Sequence, residues 1–243
     1  MAHQERKKIM KTWKKIVLGV SLISLFLGGG LVAWGYSQGG LTDLQNQTKS
    51  EQDYVKKEVK DFNKIDIKSS SYNVLIKNGD VDKATLSYYQ KTKNPIDTSV
   101  KDGQLTINDN NSELDSTSNK HINFFGLKDL VRLSTLNKEV RNKTIVITLP
   151  KKQTIDFLKV DLATGNLDLS NSTIKQADIN LNVGDLTFTK MIVSNLKANL
   201  DVGSVDSDHT LFTNSDLSIA MGDYSGDNMI FNGHNKLDVT SGD

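Results

Sequence analysis

The sequence predicts a mainly β protein whose largest part is a single-stranded parallel β-solenoid, preceded by an N-terminal transmembrane helix. Three observations predict the solenoid. Glycine recurs with a fixed period, apolar residues alternate on both sides of each glycine, and the residues between them are mostly Asp, Asn, Ser, Thr and Lys. A fixed period of about 20 residues is typical of solenoids, in which each repeat is one coil stacked on its neighbour.

Glycine returns every nineteen residues through the second half of the chain, with a last interval of twenty. The repeat glycines are Gly165, Gly184, Gly203, Gly222 and Gly242. Apolar residues stand five and three positions before each glycine, and this period of two indicates strands with one buried face. We therefore expect two or three short strands per coil. Each glycine should lie at a corner that needs a positive φ angle or a close approach of two coils.

The N-terminal part of the sequence predicts a membrane anchor. Residues 16–36 are uncharged and follow a basic tail formed by residues 1–15. A helix of this length can cross a hydrocarbon core of about 30 Å. Because the basic residues come first, we expect a single-pass anchor in the cell membrane, with the N-terminus in the cytoplasm and the solenoid outside. A cleaved signal peptide is the alternative.

The remaining chain divides into a stalk and one domain. Residues 37–60 are polar, show no apolar period and are expected to form a linker or stalk. The solenoid domain is expected over residues 61–243, with an incomplete last coil. An incomplete coil indicates either a truncated sequence or an edge covered by another chain, so self-association through the terminal coil is an open alternative.

Residues 121–140 carry the one helical pattern outside the membrane segment. Apolar residues recur there every three or four positions and form a single stripe. We expect a helical insert that either caps the solenoid or docks to a membrane or a partner helix. The docking residues would be Phe124, Leu127, Leu130, Leu133 and Leu136.

Charge argues against nucleic acid as a partner. The whole chain has a net charge of +1, whereas residues 1–36 contain six basic residues and one acidic residue, which gives +5. The rest of the chain therefore carries −4 (+1 minus +5) and offers no basic stripe for a phosphate backbone.

The sequence predicts no enzyme and no metal or other cofactor. The histidines lack partners at a ligand spacing, and no phosphate loop or nucleophile motif occurs. Asp185, Asp223 and Asp243 follow their glycines and could approach one another around Ca²⁺, but Asp is also an ordinary turn residue, which we favour. The lysines of the later coils do not share one column of the repeat: Lys159, Lys175, Lys190 and Lys197.

Several segments carry a resemblance to a known family. They read FNKIDI at residues 62–67, YNVLI at 72–76, GQLTI at 103–107 and IVITLP at 145–150, followed by the glycine coils. Over residues 62–243 the chain resembles the bacterial putative-adhesin β-strand-repeat family, a domain of unknown function common in Firmicutes. The resemblance implies a right-handed parallel β-helix without catalytic residues.

Some members of that family are similar to accessory proteins of Lia-type envelope-stress systems. The resemblance therefore implies a non-catalytic role in envelope stress, through a membrane-protein partner or a cationic peptide. An adhesin or a module that binds cell-wall glycan is the alternative function.

Overall fold

The computed structural model describes residues 52–91, 95–109 and 143–243. The predicted tail at 1–15, the transmembrane helix at 16–36 and the helical insert at 121–140 lie outside the described residues. Within the described part of the chain, no helix is long and apolar enough to cross a membrane.

The described residues form nineteen strands and no helix, which confirms the mainly β prediction. In chain order the strands are β1 (Gln52–Glu58), β2 (Lys64–Ser69), β3 (Asn73–Gly79), β4 (Thr85–Lys91), β5 (Asp97–Lys101), β6 (Gln104–Asn108), β7 (Thr144–Pro150), β8 (Thr154–Ile155), β9 (Phe157–Thr164), β10 (Leu167–Ser170), β11 (Thr173–Ile174), β12 (Ala177–Val183), β13 (Leu186–Thr189), β14 (Ile192–Val202), β15 (Val205–Asp208), β16 (Leu211–Met221), β17 (Tyr224–Asp227), β18 (Ile230–Asn232) and β19 (Lys236–Ser241).

These strands build two sheets that face each other across one core. Sheet A has the order β1-β4-β7-β3-β10-β13-β15-β17, and sheet B has the order β18-β16-β14-β12-β9-β2-β6-β5. In the later coils the chain runs along a long strand of sheet B, turns at a repeat glycine, and continues as a short strand of sheet A. The coils therefore stack in parallel, and equivalent residues lie about 4.8 Å apart.

Apolar side chains of equivalent positions fill the interior. One column contains Val160, Ile179 and Ala198, which pair in register between neighbouring strands and are fully buried. Burial of an aliphatic side chain stabilises a fold by about 1.5–3 kcal/mol, so each added coil contributes to one continuous core. Three aromatic rings meet across the core: Phe188 of sheet A lies 5.1 Å from Phe212 of sheet B between ring centroids, and Phe212 lies 5.9 Å from its strand partner Phe231.

The first part of the domain departs from a simple parallel ladder. Strand β4 pairs antiparallel with both β1 and β7, and β5 pairs antiparallel with β6. These strands form the edges of the two sheets at this end of the solenoid. Antiparallel hairpins need only short connections, whereas each parallel step needs a full coil.

The prediction of a linker over residues 37–60 is wrong for the last part of that range, because strand β1 covers Gln52–Glu58. All seven residues of β1 pair with β4, and the half-buried Val55 packs against the core. Strand pairing provides hydrogen-bond partners for the backbone N–H and C=O groups of this edge strand. Because only one side chain packs against the core, the sequence of the strand does not need alternating apolar residues.

The coils are also not stacked in the order of the chain. The coil formed by β2 and β3 lies between the β6–β7 coil and the β9–β10 coil, which both come later in the sequence. Its corner has serines in place of glycine. Asp109, after β6, accepts hydrogen bonds from the hydroxyls of Ser69 and Ser70 at 3.2 and 3.0 Å.

Candidate interaction surfaces

The repeat glycines form one corner of the solenoid. All five have φ angles between 142° and 151°, which side-chain-bearing residues rarely adopt. A Cβ atom at Gly184, Gly203, Gly222 or Gly242 would collide with the carbonyl group of the preceding repeat glycine. At Gly165 it would collide with the carbonyl group of Tyr72. The column is therefore a line of backbone contact, and it offers no side chains to a ligand.

The residues that follow the glycines form a hydrogen-bonded ladder from coil to coil. Each side chain except that of Asp243 in the last coil accepts the backbone N–H of the equivalent residue in the next coil, at 2.9–3.4 Å; Asn73 begins the ladder at the corner of the β2–β3 coil, where Tyr72 precedes it. The ladder runs through Asn73, Asn166, Asp185, Ser204, Asp223 and Asp243.

This ladder explains the acidic corner residues without a metal ion. Oδ1 of Asp185 and Oδ1 of Asp223 each accept a backbone N–H at 3.0 Å. Among the described residues, no group of three or more His, Asp or Glu side chains is placed to hold a metal ion. The geometry is that of turn residues that also tie the coils together.

The outer face of sheet B carries a column of alternating charge. Its members lie on six adjacent strands, each in register with the next: Asp66, Lys159, Asp178, Lys197, Asp216 and Lys236. As expected, the four lysines of the later coils do not share one column, but two of them, Lys159 and Lys197, both belong to this one. Alternation avoids like charges on directly opposed residues, which would destabilise the sheet.

Amide side chains form a second ladder beside this charged column. Nδ2 of Asn199 donates to Oδ1 of Asn180, and Nδ2 of Asn180 donates to Oδ1 of Asp161, both at 3.0 Å. Together the two columns give the outer face of sheet B a polar and periodic surface.

The outer face of sheet A contains a buried acidic residue. Asp168 alternates along β10 with the core residues Leu167 and Leu169, so it points away from the core, yet its exposure is only 2%. Its Oδ2 atom has no hydrogen-bond partner. Burial, aided by the charge of Asp185, raises the pKa of Asp168 to about 8, and a hydrogen bond from Thr187 offsets part of this shift.

Two tyrosines lie on the same outer face, near the edge of sheet A. Tyr54 of β1 pairs directly with Tyr89 of β4, and their ring centroids are 4.9 Å apart. Tyr54 is 55% exposed. Exposed aromatic rings of this kind can pack against the apolar face of a sugar or of a peptide side chain.

The terminal coil leaves part of the apolar column open. A cleft of about 400 Å³ lies there, lined by Phe212, Leu217, Tyr224, Phe231 and Leu237 among others. Phe231 and Leu237 are about half exposed. Self-association through this coil stays a prediction.

A family model matches the chain over residues 62–243, which covers all the glycine coils and the β2–β3 coil. The chain belongs to the Toastrack DUF4097 family. The Toastrack match supports a solenoid-like fold and the coarser part of the resemblance inferred from the sequence, a putative-adhesin-like domain of unknown function. The right-handed sense of the coil stays a prediction.

Solved structures with low sequence identity are similar to this Toastrack chain. A putative cell adhesion protein from Clostridium sporogenes is 14% identical, covering 79% of this chain and 100% of that one, with a TM-score of 0.37. A putative adhesin from Bacteroides fragilis is 16% identical, covering 77% and 96%, with a TM-score of 0.36. A putative lipid binding protein from Parabacteroides distasonis is 10% identical, covering 77% and 96%, with a TM-score of 0.28. No curated protein matches the chain.

The structure places some of the predicted site residues and not others. The five repeat glycines form one column, as described above. The docking residues expected in the helical insert, which are Phe124, Leu127, Leu130, Leu133 and Leu136, lie outside the described residues. Sequence reasoning missed Asp168 and Tyr54. The position of Asp168 relative to Gly165 could have shown that its side chain points outward. The sequence pattern does not show that this outward side chain is buried.

Proposed function

We propose that the protein is a non-catalytic interaction module on the outside of the cell, anchored by residues 16–36 and acting in the response to envelope stress. One observation carries the proposal: the solenoid presents a polar surface on sheet B, made of columns that repeat from coil to coil. A surface of this shape suits an extended partner better than a small substrate.

The stacking gives this surface its rigidity. Backbone pairing, the corner ladder and the amide ladder all join one coil to the next. Side chains held at fixed spacing lose little conformational entropy on binding, which favours recognition of a protein or peptide. Acidic residues of the charged column, such as Asp178 and Asp216, would be the first contacts for a cationic peptide.

The electrostatics of the described residues supports a non-catalytic role. Among the carboxyl groups of the described residues, that of Asp168 has a raised pKa, and a general acid often has a pKa in this range. However, its 2% exposure leaves no access for a substrate. We therefore propose that this carboxyl group serves the packing of the outer face.

The anchored arrangement can be tested through labelling, because the chain contains no cysteine. Ser218→Cys would place a thiol on the outer face of sheet B, and Ala2→Cys would place one in the basic tail. In intact cells we expect a membrane-impermeant maleimide to label the first variant and not the second. Labelling of neither, or of the tail alone, would contradict the proposed orientation.

The partner can be tested by crosslinking the full chain in living cells, followed by mass spectrometry. We expect capture of an integral membrane protein. A matched pair of variants tests the surface: Asp178→Asn with Asp216→Asn should reduce capture, whereas Asp201→Asn, outside the charged column, should not. A deletion strain with unchanged sensitivity to cationic peptides would contradict the stress role.

Adhesion, or binding of cell-wall glycan, is the second candidate function. The exposed ring of Tyr54, which packs against the half-buried Tyr89, favours it, because aromatic rings are common platforms for sugars. If this function is correct, the purified protein should sediment with cell-wall polymer, and Tyr54→Ala should weaken that binding. Ile230→Ala, an equally exposed apolar residue in the terminal coil, is the matched control.

A further inference from the structure

The charged column on the outer face of sheet B has a fixed period. Its acidic members are Asp66, Asp178 and Asp216, and one lysine, Lys159 or Lys197, lies between each aspartate and the next. Neighbouring strands lie about 4.8 Å apart, so side chains of like charge recur about every 9.6 Å along the column. A partner that lies along this column must present its own charges at the same distance.

The central members of the column have no ionic partner within the described part of the chain. No side-chain hydrogen bond or ion pair there involves Asp178, Lys197 or Asp216, and the last two are exposed. By contrast, Lys159 and Lys236 each lie near an aspartate of their own strand, with N–O distances of 3.8 and 3.5 Å. A ligand can therefore pair with the central charges without first breaking an ion pair, which makes charge complementarity available to it.

The period of the column distinguishes between the regular conformations of a peptide ligand. Side chains on one face of a β-strand recur about every 6.7 Å, and successive turns of an α-helix are about 5.4 Å apart. Both fall out of step with the column within a few strands. A polyproline II helix has three residues per turn and rises about 3.1 Å per residue, so every third side chain recurs on one edge about every 9.3 Å. Over the three aspartates the mismatch is less than about 1 Å.

The lysines between the aspartates set a second requirement. A peptide with only basic charges would be repelled by Lys159 and Lys197, which lie halfway between the aspartates. The other two residues of each polyproline II triplet lie about 3.1 and 6.2 Å further along, so each is within about 2 Å of the intervening lysine, measured along the column. An acidic side chain at either position can pair with that lysine. The column therefore fits triplets that contain one basic and one acidic residue.

We propose that the charged column of sheet B binds a polyproline II segment of a partner protein, in which each triplet carries one basic and one acidic side chain. The segment lies across the strands, and its basic residues face Asp66, Asp178 and Asp216. About nine residues, roughly 28 Å in length, cover the column from β2 to β19. This inference rests on the proposed function and names the class of partner that the same surface recognises.

Calorimetric titration of the purified full chain in detergent with synthetic peptides tests the conformation and the charge period. The probe peptide contains three repeats of the triplet proline, lysine, glutamate. The control peptide has the same composition in a scrambled order, in which lysine no longer occupies every third position. We expect the probe to bind roughly tenfold more tightly than the control, because only the probe places a lysine opposite each aspartate. Equal affinities, or no binding of the probe, would overturn the proposal.

A protein variant tests the register of the column. Lys197→Asp combined with Asp216→Lys keeps the net charge but breaks the alternation, so the affinity for the probe should fall roughly tenfold. Asp201→Asn, an exposed position of sheet B outside the column, should leave the affinity unchanged. Where the exchanged pair disturbs folding, Asp178→Asn with Asp216→Asn removes the charges without opposing like ones, and should weaken binding as well. Unchanged affinity in these column variants would overturn the proposal.

Two further ligands test the other occupants of this face. One is an alanine-rich helical peptide with lysine and glutamate on successive turns, and the other is soluble cell-wall polymer. Tighter binding of either ligand than of the probe, lost in Asp178→Asn with Asp216→Asn, would overturn the proposal in favour of that occupant.

Failure of this inference is distinguishable from failure of the proposed function. If the probe and the scrambled peptide bind equally and both depend on Asp178 and Asp216, the inference is wrong and the proposed function stands, because the column would then bind charged peptides in any conformation. If Asp178→Asn with Asp216→Asn captures partners in living cells as efficiently as the unchanged protein, the column is not the interaction surface, and both are contradicted.

Discussion

The carbonyl carbon of Gly184 lies 2.7 Å from the position that a Cβ atom would occupy at Gly203. Real Cβ atoms do not approach backbone atoms this closely, so the two coils can stack at this corner only if residue 203 has no side chain. The same relationship recurs between the other glycines of the column. Coil-to-coil backbone contact thus explains why glycine recurs at this corner in every coil.

Gly203→Ala should therefore be strongly destabilising. The substitution combines a collision with the carbonyl group of Gly184 and a φ angle of 146° that alanine rarely adopts, so we expect a loss of about 3 kcal/mol or more. Gly226→Ala is the control, because its Cβ would meet only movable side-chain atoms, of Tyr224 and Met229. Urea unfolding of both variants checks the difference, and equal midpoints would contradict it.

The cluster of Phe188, Phe212 and Phe231 predicts a graded effect toward the terminal coil. Phe188 is fully buried against Phe212, whereas Phe231 at the terminal coil is 54% exposed. Phe188→Ala should lower the free energy of unfolding by about 3–5 kcal/mol, since it leaves a cavity in the core. Phe231→Ala should cost about 1 kcal/mol or less, because much of its side chain is already in water. Thermal unfolding followed by circular dichroism would show whether the two effects differ in this order.

The corner ladder predicts that Asp185 stabilises the fold mainly as a hydrogen-bond acceptor. Its Oδ1 atom accepts the N–H of Ser204 at 3.0 Å. Asp185→Asn keeps that acceptor and should be nearly neutral, whereas Asp185→Ala should cost about 1 kcal/mol. The free energies of unfolding of the two variants provide the test. A larger loss for Asn than for Ala would show that the negative charge matters instead.

Asp168 predicts a pH dependence of stability with a defined sign. Its pKa is raised from 3.8 to about 8 in the folded protein, so between these values the folded state binds the proton that the unfolded state has lost. This contribution to stability is complete below pH 3.8 and is lost as the pH rises through about 8, with a slope of at most about 1.4 kcal/mol per pH unit.

The variant Asp168→Asn isolates this contribution, because asparagine cannot ionise. Its free energy of unfolding should fall less than that of the unchanged protein between about pH 5 and about pH 8. Asp238→Asn, on the exposed face of sheet B, should retain the full pH dependence. Identical pH profiles for the unchanged protein and Asp168→Asn would show that Asp168 is ionised in the folded state.

The charged column predicts a salt-dependent effect. Asp178→Lys would place three lysines side by side, with Lys159 and Lys197 as its neighbours, and should destabilise the protein by about 0.5–1 kcal/mol. Asp201→Lys is the control, because residue 201 is exposed and lies outside this column. The difference between the two variants should shrink from about 0.05 M to about 0.5 M NaCl, as salt screens the repulsion. Melting temperatures at both salt concentrations would check this.

Local periodicity was enough to predict the coils, because a strand with one buried face repeats every two residues and each corner repeats a glycine. Local periodicity did not predict that β2 and β3 lie between later coils, because a local pattern does not determine which strands pair with each other. Strand β1 was missed for a related reason: it contributes mainly backbone pairing, with Val55 packed against the core. The charged column was missed because lysine and aspartate alternate in it, so a search for lysine alone does not find it.

The position of the β2–β3 coil between two later coils also has a consequence for the order in which the domain is assembled. Chain synthesis delivers this coil before its partner strands β6, β7, β9 and β10, which extend to Ser170. Its edges stay open until that residue has emerged, and non-local pairing of this kind is slow to form. The domain therefore cannot close progressively from its N-terminal end. Until then, the emerging chain presents unpaired strand edges to proteases and chaperones.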